Sequence, residues 1–262
     1  MKFYHIGFER SDLGVDVPQI VILSGEPERS QYIAQTYLRN VKLLSKYRGL
    51  NSYLGDLPDG EPILVATSGM GASSLSIVVN ELVQLGMKRF IRIGTCGSIQ
   101  PYIPVGDIVI SQGSLCRQGA ALDIAPVEYP AIADPWLTVA LVETARKLSI
   151  PHHLGITASV DTFYEGQERI ESSANSQLQP WLTGMTATYR ALNILNYEME
   201  VGTLFKMSGV YDFAAACVCA VVAQRTAAET IAIADKDAAV QRAIEVAMQT
   251  IISHNSPSPL VP

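Results

Sequence analysis

Phe90-Ile91-Arg92-Ile93-Gly94-Thr95-Cys96-Gly97-Ser98-Ile99 is an apolar run that breaks abruptly into glycine and hydroxyl residues. Apolar, largely β-branched residues ahead of a glycine pair predict a buried strand that ends in a turn. Glycines at that point let backbone N–H groups approach a ligand, and the hydroxyls of Thr95 and Ser98 add short donors. Arg92 is the odd residue. A buried guanidinium is costly without an anionic partner, and none is adjacent to it in sequence. A bound anion would resolve that cost. A snorkelling arginine at a strand edge, beside an ordinary turn, would avoid it.

Working outward, residues 62–67 predict another strand, and Ser68-Gly69-Met70-Gly71 opens a helix over 73–85. Leu75, Val78, Val79, Leu82 and Val83 fall at helical spacing, and Gly86 is a natural C-terminal cap. Strand, turn, helix, strand argues an α/β fold with a largely parallel sheet and right-handed crossovers. Residues 17–23 predict a first strand, ending at Ser24-Gly25-Glu26-Pro27-Glu28-Arg29 and followed by a helix through Tyr37. That geometry suits an anion at a helix N-terminus, with Arg29 in the first turn. Glycine and proline nevertheless punctuate any strand-to-helix turn. Residues 41–53 predict part of a hairpin containing Arg48-Gly49, and 107–111 and 155–159 predict short strands. Asp134-Pro135 begins a helix with Leu137, Leu141, Ala145 and Leu148 on one face. Residues 170–188 are polar and irregular, the composition of a mobile flap, and 193–197 are extended. A helix follows Glu198-Met199-Glu200, 214–223 form a last buried strand, and an amphipathic segment over 237–254 closes the chain. With no repeat, linker or low-complexity stretch, the simplest account is one domain over 1–255 and a frayed tail over 256–262.

The chain has 262 residues, 48% hydrophobic and 17% charged, which describes a globular protein with a sizeable core. A formal net charge of −6 argues against nucleic acid or an anionic membrane surface as partner, so any basic site must be local. Residues 1–12 lack the apolar core of a secretion signal, and the apolar run over 213–223 is too short to span a bilayer. Cys96, Cys116, Cys217 and Cys219 are scattered without metal-ligand spacing, which points to core packing in a reducing, cytoplasmic setting.

Polar residues recur at the C-terminal ends of the predicted strands: Gly25 and Arg29, Ser68, Arg92 and Thr95, Gln167 and Arg169, Glu198 and Glu200, Arg225. Ligands of open α/β sheets bind outside those ends. Arginines and glycine N–H groups near one point suit a small dianion such as phosphate. Glu198 and Glu200 suit diol hydroxyls or developing positive charge, and alternation on an extended chain puts both on one side. The same triplet also suits an acidic helix start that needs no ligand. Gln167 and Arg169 can offer the donors and acceptors that a uracil-like edge requires, with Phe163 or Tyr164 to stack on a ring. A solvated polar loop is the alternative.

Five segments taken together resemble one family: His5-Ile6-Gly7, Gly25-Glu26-Pro27-Glu28-Arg29, Arg92-Ile93-Gly94-Thr95-Cys96-Gly97, Asp161-Thr162-Phe163-Tyr164-Glu165-Gly166-Gln167-Glu168-Arg169 and Asn196-Tyr197-Glu198-Met199-Glu200. They resemble the uridine-cleaving members of the hexameric branch of the nucleoside phosphorylase family, over nearly the whole chain. The resemblance implies a single α/β domain with a central mixed sheet, or distorted barrel, flanked by helices. It implies phosphate binding by Gly25, Arg29, Arg92 and Thr95, with Arg48 lent by a neighbouring subunit. It implies ribose contacts by Met199, Glu200 and Glu198, with His5 reaching the 5′-hydroxyl across a dimer interface. It implies that Gln167 and Arg169 read uracil beside Phe163, with Arg225 on the base side. The implied partners are uridine and phosphate in a homohexamer, a trimer of dimers, with no nucleic acid, membrane, metal or cofactor.

Departures from the family pattern carry information too. Gly49 stands where the bacterial enzymes resembled have a glutamate that helps hold a monovalent cation, which argues against a potassium site although Ser73 remains. Cys96 replaces a second threonine, and Ser24 and Glu26 replace a proline and an aspartate. A purine-specific relative would carry an aspartate after the last strand, where this chain has Gln224-Arg225-Thr226-Ala227. A hydrolytic nucleosidase would have no use for Arg29, Arg48 and Arg92 together. A nucleoside-binding protein without turnover is the third rival.

Overall fold

A computed structural model of the chain describes residues 2–225, 229–230 and 233–253. Its elements run β1 (Ile20–Ser24), α1 (Pro27–Tyr37), β2 (Arg39–Ser45), β3 (Ser52–Asp56), β4 (Pro62–Thr67), α2 (Ala72–Gln84), β5 (Arg89–Ser98) and β6 (Ile108–Arg117). They continue α3 (Gly119–Ile124), α4 (Pro135–Lys147), β7 (His152–Val160), α5 (Met185–Ala191), β8 (Ile194–Glu198), α6 (Val201–Tyr211), β9 (Ala214–Arg225), β10 (Glu229–Thr230) and α7 (Ile233–Ser253). Thr226, Ala227 and the tail over 254–262 lie outside the described residues.

The Arg92 strand, β5, is the hub of the sheet. It pairs in parallel with β1 and β9, and its last residues pair antiparallel with β8. The strand order is β10-β9-β6-β7-β8-β5-β1-β4-β3-β2, and the β9–β5 pairing closes β5, β9, β6, β7 and β8 into a five-stranded barrel. The largely parallel sheet expected from the crossovers is therefore mixed. Antiparallel pairing of β6 with β9 and of β8 with β5 closes the barrel, and the β2–β3–β4 meander extends the sheet on the other side.

Side chains alternate across β5 and β9, as pleating requires. Phe90, Cys217 and Cys219 face α2 and α6, whereas Ile91, Ile93, Ala216, Val218 and Ala220 face α4 and α7. Leu75, Val78, Val79 and Leu82 of α2 are fully buried, each contributing about 1.5–3 kcal/mol relative to an exposed position. Helix α4 starts where its proline predicts, and the Asp134 carboxylate accepts from the Leu137 N–H at 2.8 Å. Helix α5 begins at Met185, inside the stretch over 170–188 expected to be irregular, and runs three residues beyond it. Among the described residues no helix is long and apolar enough to cross a membrane.

Candidate active site

The segments that follow β1, β4 and β8 converge on Arg92, the fourth residue of β5. This side chain is 4% exposed and donates through Nη2 to Glu200, while its Nε lies 3.7 Å from the Glu198 carboxylate. Burial works against its charge, but Glu200 and then Glu198 more than offset this, so its pKa stands above the ordinary arginine value. The anionic partner missing from its sequence neighbourhood is thus partly internal. Arg92 Nε and Nη1 remain buried without a hydrogen-bond partner, donors that a dianion can take.

Arg29, in the first turn of α1, approaches from the other side. Its Nη1 donates to the Ile93 carbonyl at 3.3 Å, its Nη2 pairs with Glu26 at 2.9 Å, and its Nε has no partner. Burial lowers its pKa, Glu26 raises it, and the nearby Arg92 lowers it again. Two guanidiniums forced close together form an anion site in electrostatic terms. Gly25 packs toward the Gly69 carbonyl, where a Cβ would come to 3.5 Å. The Gly71 N–H donates to Glu200 Oε1 at 2.6 Å, so both oxygens of Glu200 are held, one by Arg92 and one by the β4–α2 turn. Thr95 is half-buried on the same strand.

Glu198, expected at the ribose, is engaged within the protein by the start of α6. It is 3% exposed and accepts from Ser159 Oγ, from the Glu200 N–H at 2.8 Å and from the Val201 N–H at 2.9 Å. Its acceptor positions are turned into the protein, as a ligand for the start of α6. Burial, and next the Glu200 charge, push its carboxyl up to about 8, against the pull of Arg92. Both sequence alternatives hold in part: the glutamates share one side, facing Arg92, and one of them caps a helix.

The start of α6 is the best-satisfied helix end in the site. Glu198 takes the Glu200 and Val201 N–H groups, Ser159 Oγ the Gly202 N–H at 2.8 Å, and Gln118 Oε1 the Thr203 N–H at 2.9 Å. With its orphan N–H groups spent on side chains, this helix end has none to offer an anion, which leaves that task to the arginines. Gly202 is required by close approach, since a Cβ there would meet Cys116 Sγ at 2.7 Å.

Farther along β5, past a bulge between Cys96 and Gly97, a second polar group assembles. Gln167 and Arg169 are buried, with Arg169 Nε donating to Gln167 Oε1 at 3.3 Å. The Arg169 guanidinium lies 4.2 Å from the centre of the Phe163 ring. Arg225 donates to the Gln167 carbonyl and, at 3.4 Å, to that of Glu168. It thereby clamps the main chain of this loop. The loop's far side is tied by Glu168, whose carboxylate accepts from the Gly184 N–H at 2.6 Å and from the Thr186 N–H. Gly97 lies beneath both arginines, where a Cβ would meet Arg225 Cδ at 3.2 Å and Arg169 Nη2 at 3.6 Å.

Arg48 and His5 occupy other ground. Arg48 is exposed, donates to the Tyr4 hydroxyl at 3.1 Å and stacks on the Tyr4 and Tyr47 rings. His5 Nδ1 lies 2.6 Å from Glu81 Oε1, in a surface depression of about 840 Å³ lined also by Ser73, Ile77 and Met207. Met199 is half-buried, with its carbonyl held by Gln118. Gln118 and Ser159 were not singled out in sequence. Ser159 had one signal, a polar side chain at the end of a predicted strand; Gln118 had none, because the strand expected over 107–111 runs on to Arg117.

A family model described as the phosphorylase superfamily matches residues 19–253. The uridine phosphorylase of Salmonella typhimurium is 41% identical over 226 residues, 86% of this chain and 87% of that protein. The Escherichia coli uridine phosphorylase is 40% identical with the same coverage, and that of Haemophilus influenzae 38% identical over 89% of this chain and 90% of its own.

Proposed function

The chain belongs to the phosphorylase superfamily, and from that premise we propose that it catalyses the reversible phosphorolysis of uridine to uracil and ribose 1-phosphate. One observation carries the substrate assignment: against β5, Arg29 and Glu200 gather at Arg92, and the buried Gln167–Arg169 pair lies farther along, at Gly97. That spacing suits a dianion, a sugar and a pyrimidine edge in sequence.

The chemistry follows from charge. Breaking the glycosidic bond builds positive charge on the ribose and negative charge on the departing uracil. Phosphate held by Arg29 and Arg92, with Gly25 and Thr95, attacks C1′ from one side. Gln167 and Arg169 stabilise the leaving base on the other, and Glu200 holds the 2′- and 3′-hydroxyls. No protein nucleophile or cofactor takes part, and Gly49 argues against a potassium requirement. The buried thiols belong to the core, and four free cysteines support a reducing, cytoplasmic setting.

The assembly we propose is a homohexamer, a trimer of dimers, with His5 and Arg48 completing a neighbour's site. The exposure of Arg48 and the depression around His5 support that reading. To test the function, the protein is incubated with uridine, thymidine, inosine and methylthioadenosine, with and without phosphate, and base release is followed. Uracil release that requires phosphate is expected. Release that ignores phosphate, or a preference for inosine, would overturn the assignment.

A further inference from the structure

We propose that Gln118 is a positioning residue for sugar recognition, fixing the bend that presents Met199 and Glu200; the inference rests on the function proposed above. Gln118 follows β6 directly and is 2% exposed. Its Nε2 donates to the Met199 carbonyl, 81 residues away. Its Oε1 accepts from the Thr203 N–H at 2.9 Å and the Thr203 hydroxyl at 2.8 Å. One side-chain amide therefore holds both limbs of the turn from β8 into α6, with donor and acceptor ends both used. Glu198 and Ser159 hold N–H groups around the start of α6, whereas Gln118 also reaches back to the carbonyl of the residue before Glu200.

The phosphate side is anchored differently. Arg92 belongs to β5, and Arg29 is fixed to the Ile93 carbonyl and Glu26. Arg92 shares Glu200 but also lies 3.7 Å from the Glu198 carboxylate, so loosening the Met199–Glu200 bend should blur sugar recognition more than dianion binding. A carboxylate that recognises the 2′-hydroxyl is what separates uridine from 2′-deoxyuridine, so this discrimination reports the position of Glu200.

Two variants test the role. Gln118→Met keeps the volume and removes both ends of the amide. Gln118→Glu keeps the acceptor toward Thr203 but sets an acceptor against the Met199 carbonyl. Each is expected to raise KM for uridine by about tenfold and to lower the uridine preference over 2′-deoxyuridine by a similar factor. KM for phosphate should change by clearly less than KM for uridine, by about threefold at most. Thr138→Ala, which removes the 2.7 Å hydroxyl bond to the Asp134 carbonyl at the start of α4, outside the site, should lower the melting temperature and leave the sugar preference unchanged. If Gln118→Met fails to fold, Gln118→Glu decides the matter. Wild-type phosphorolysis with an unaltered sugar preference in the folded variants would refute the role of Gln118 alone. Absence of phosphate-dependent uracil release in the wild type would instead refute the function, and the inference with it.

Discussion

Arg92 is the residue on which phosphate binding turns, and its geometry sets how it should be tested. Arg92→Ala would remove the dianion's main cation, lowering the rate by on the order of a hundredfold or more. It would also strand two buried carboxyl groups, at a cost of about 3–5 kcal/mol, so lost folding and lost binding would be confused. Arg92→Lys is cleaner. The ammonium keeps a charge beside Glu200 but cannot reproduce the planar fork that serves Glu200 and a phosphate at fixed angles. KM for phosphate should rise about tenfold and KM for uridine by less than about threefold, in steady-state kinetics with each substrate varied. Equal effects on both would remove Arg92 from the dianion's site. Glu198 makes a second prediction through its raised carboxyl, at about 8 against an ordinary 4.5. The folded protein then keeps a proton that the unfolded chain releases, so stability is lost as pH climbs through that window and is level above it. Glu198→Gln is neutral throughout and lacks this slope. In denaturant unfolding from about pH 5 to pH 9, the difference should move in the variant's favour as pH rises. A constant difference would put the carboxyl in its ordinary range.

At the scale of elements, the junction of β8 with α6 is the tightest constraint in the site. Gly202→Ala places a methyl 2.7 Å from Cys116 Sγ and 3.0 Å from Ser159 Cβ, so helix and barrel must part. We expect a loss of about 1–3 kcal/mol, read as a lower melting temperature, with no loss if the junction is looser than described. This junction also shows how much could be seen in sequence. The first turn of α4, the apolar face of α2 and the glycine-punctuated ends of β1, β4 and β5 all rest on local chemistry, and local patterns located them. Closure of the barrel does not. The β8–β5 contact rests on the pairs Gly97 with Tyr197 and Ser98 with Asn196, and nothing near either residue announces the other. The site divides the same way. Arg92, Arg29, Gln167 and Arg169 stood out as polar residues against apolar surroundings or in a family motif. The carboxylate that answers Arg92 comes from 108 residues away, and Gln118 meets Thr203 across 85. Partners so distant cannot be found by spacing, which is why Gln118 was not expected in the site at all.

The molecule as a whole raises the question of where Arg48 and His5 act. Neither is spent on the Arg29–Arg92 pair within the protomer: Arg48 stacks on Tyr4 and Tyr47, and His5 on the edge of Tyr4 meets Glu81. A guanidinium on exposed tyrosines is available to a neighbouring subunit at little cost, because no buried partner must be abandoned. If Arg48 serves a neighbour's phosphate, Arg48→Ala and Arg92→Lys impair different parts of a site built from two chains. In a two-fold pair each subunit supplies both halves, so a mixed dimer holds one site with both defects and one with neither. Random reassembly of the two variants should then restore about a quarter of the wild-type sites, whereas each variant alone stays impaired. The measurement is phosphorolysis before and after the two preparations are dissociated together and reassembled. Activity that remains the plain average of the two would confine Arg48 to its own subunit, and the site would then be complete in one chain.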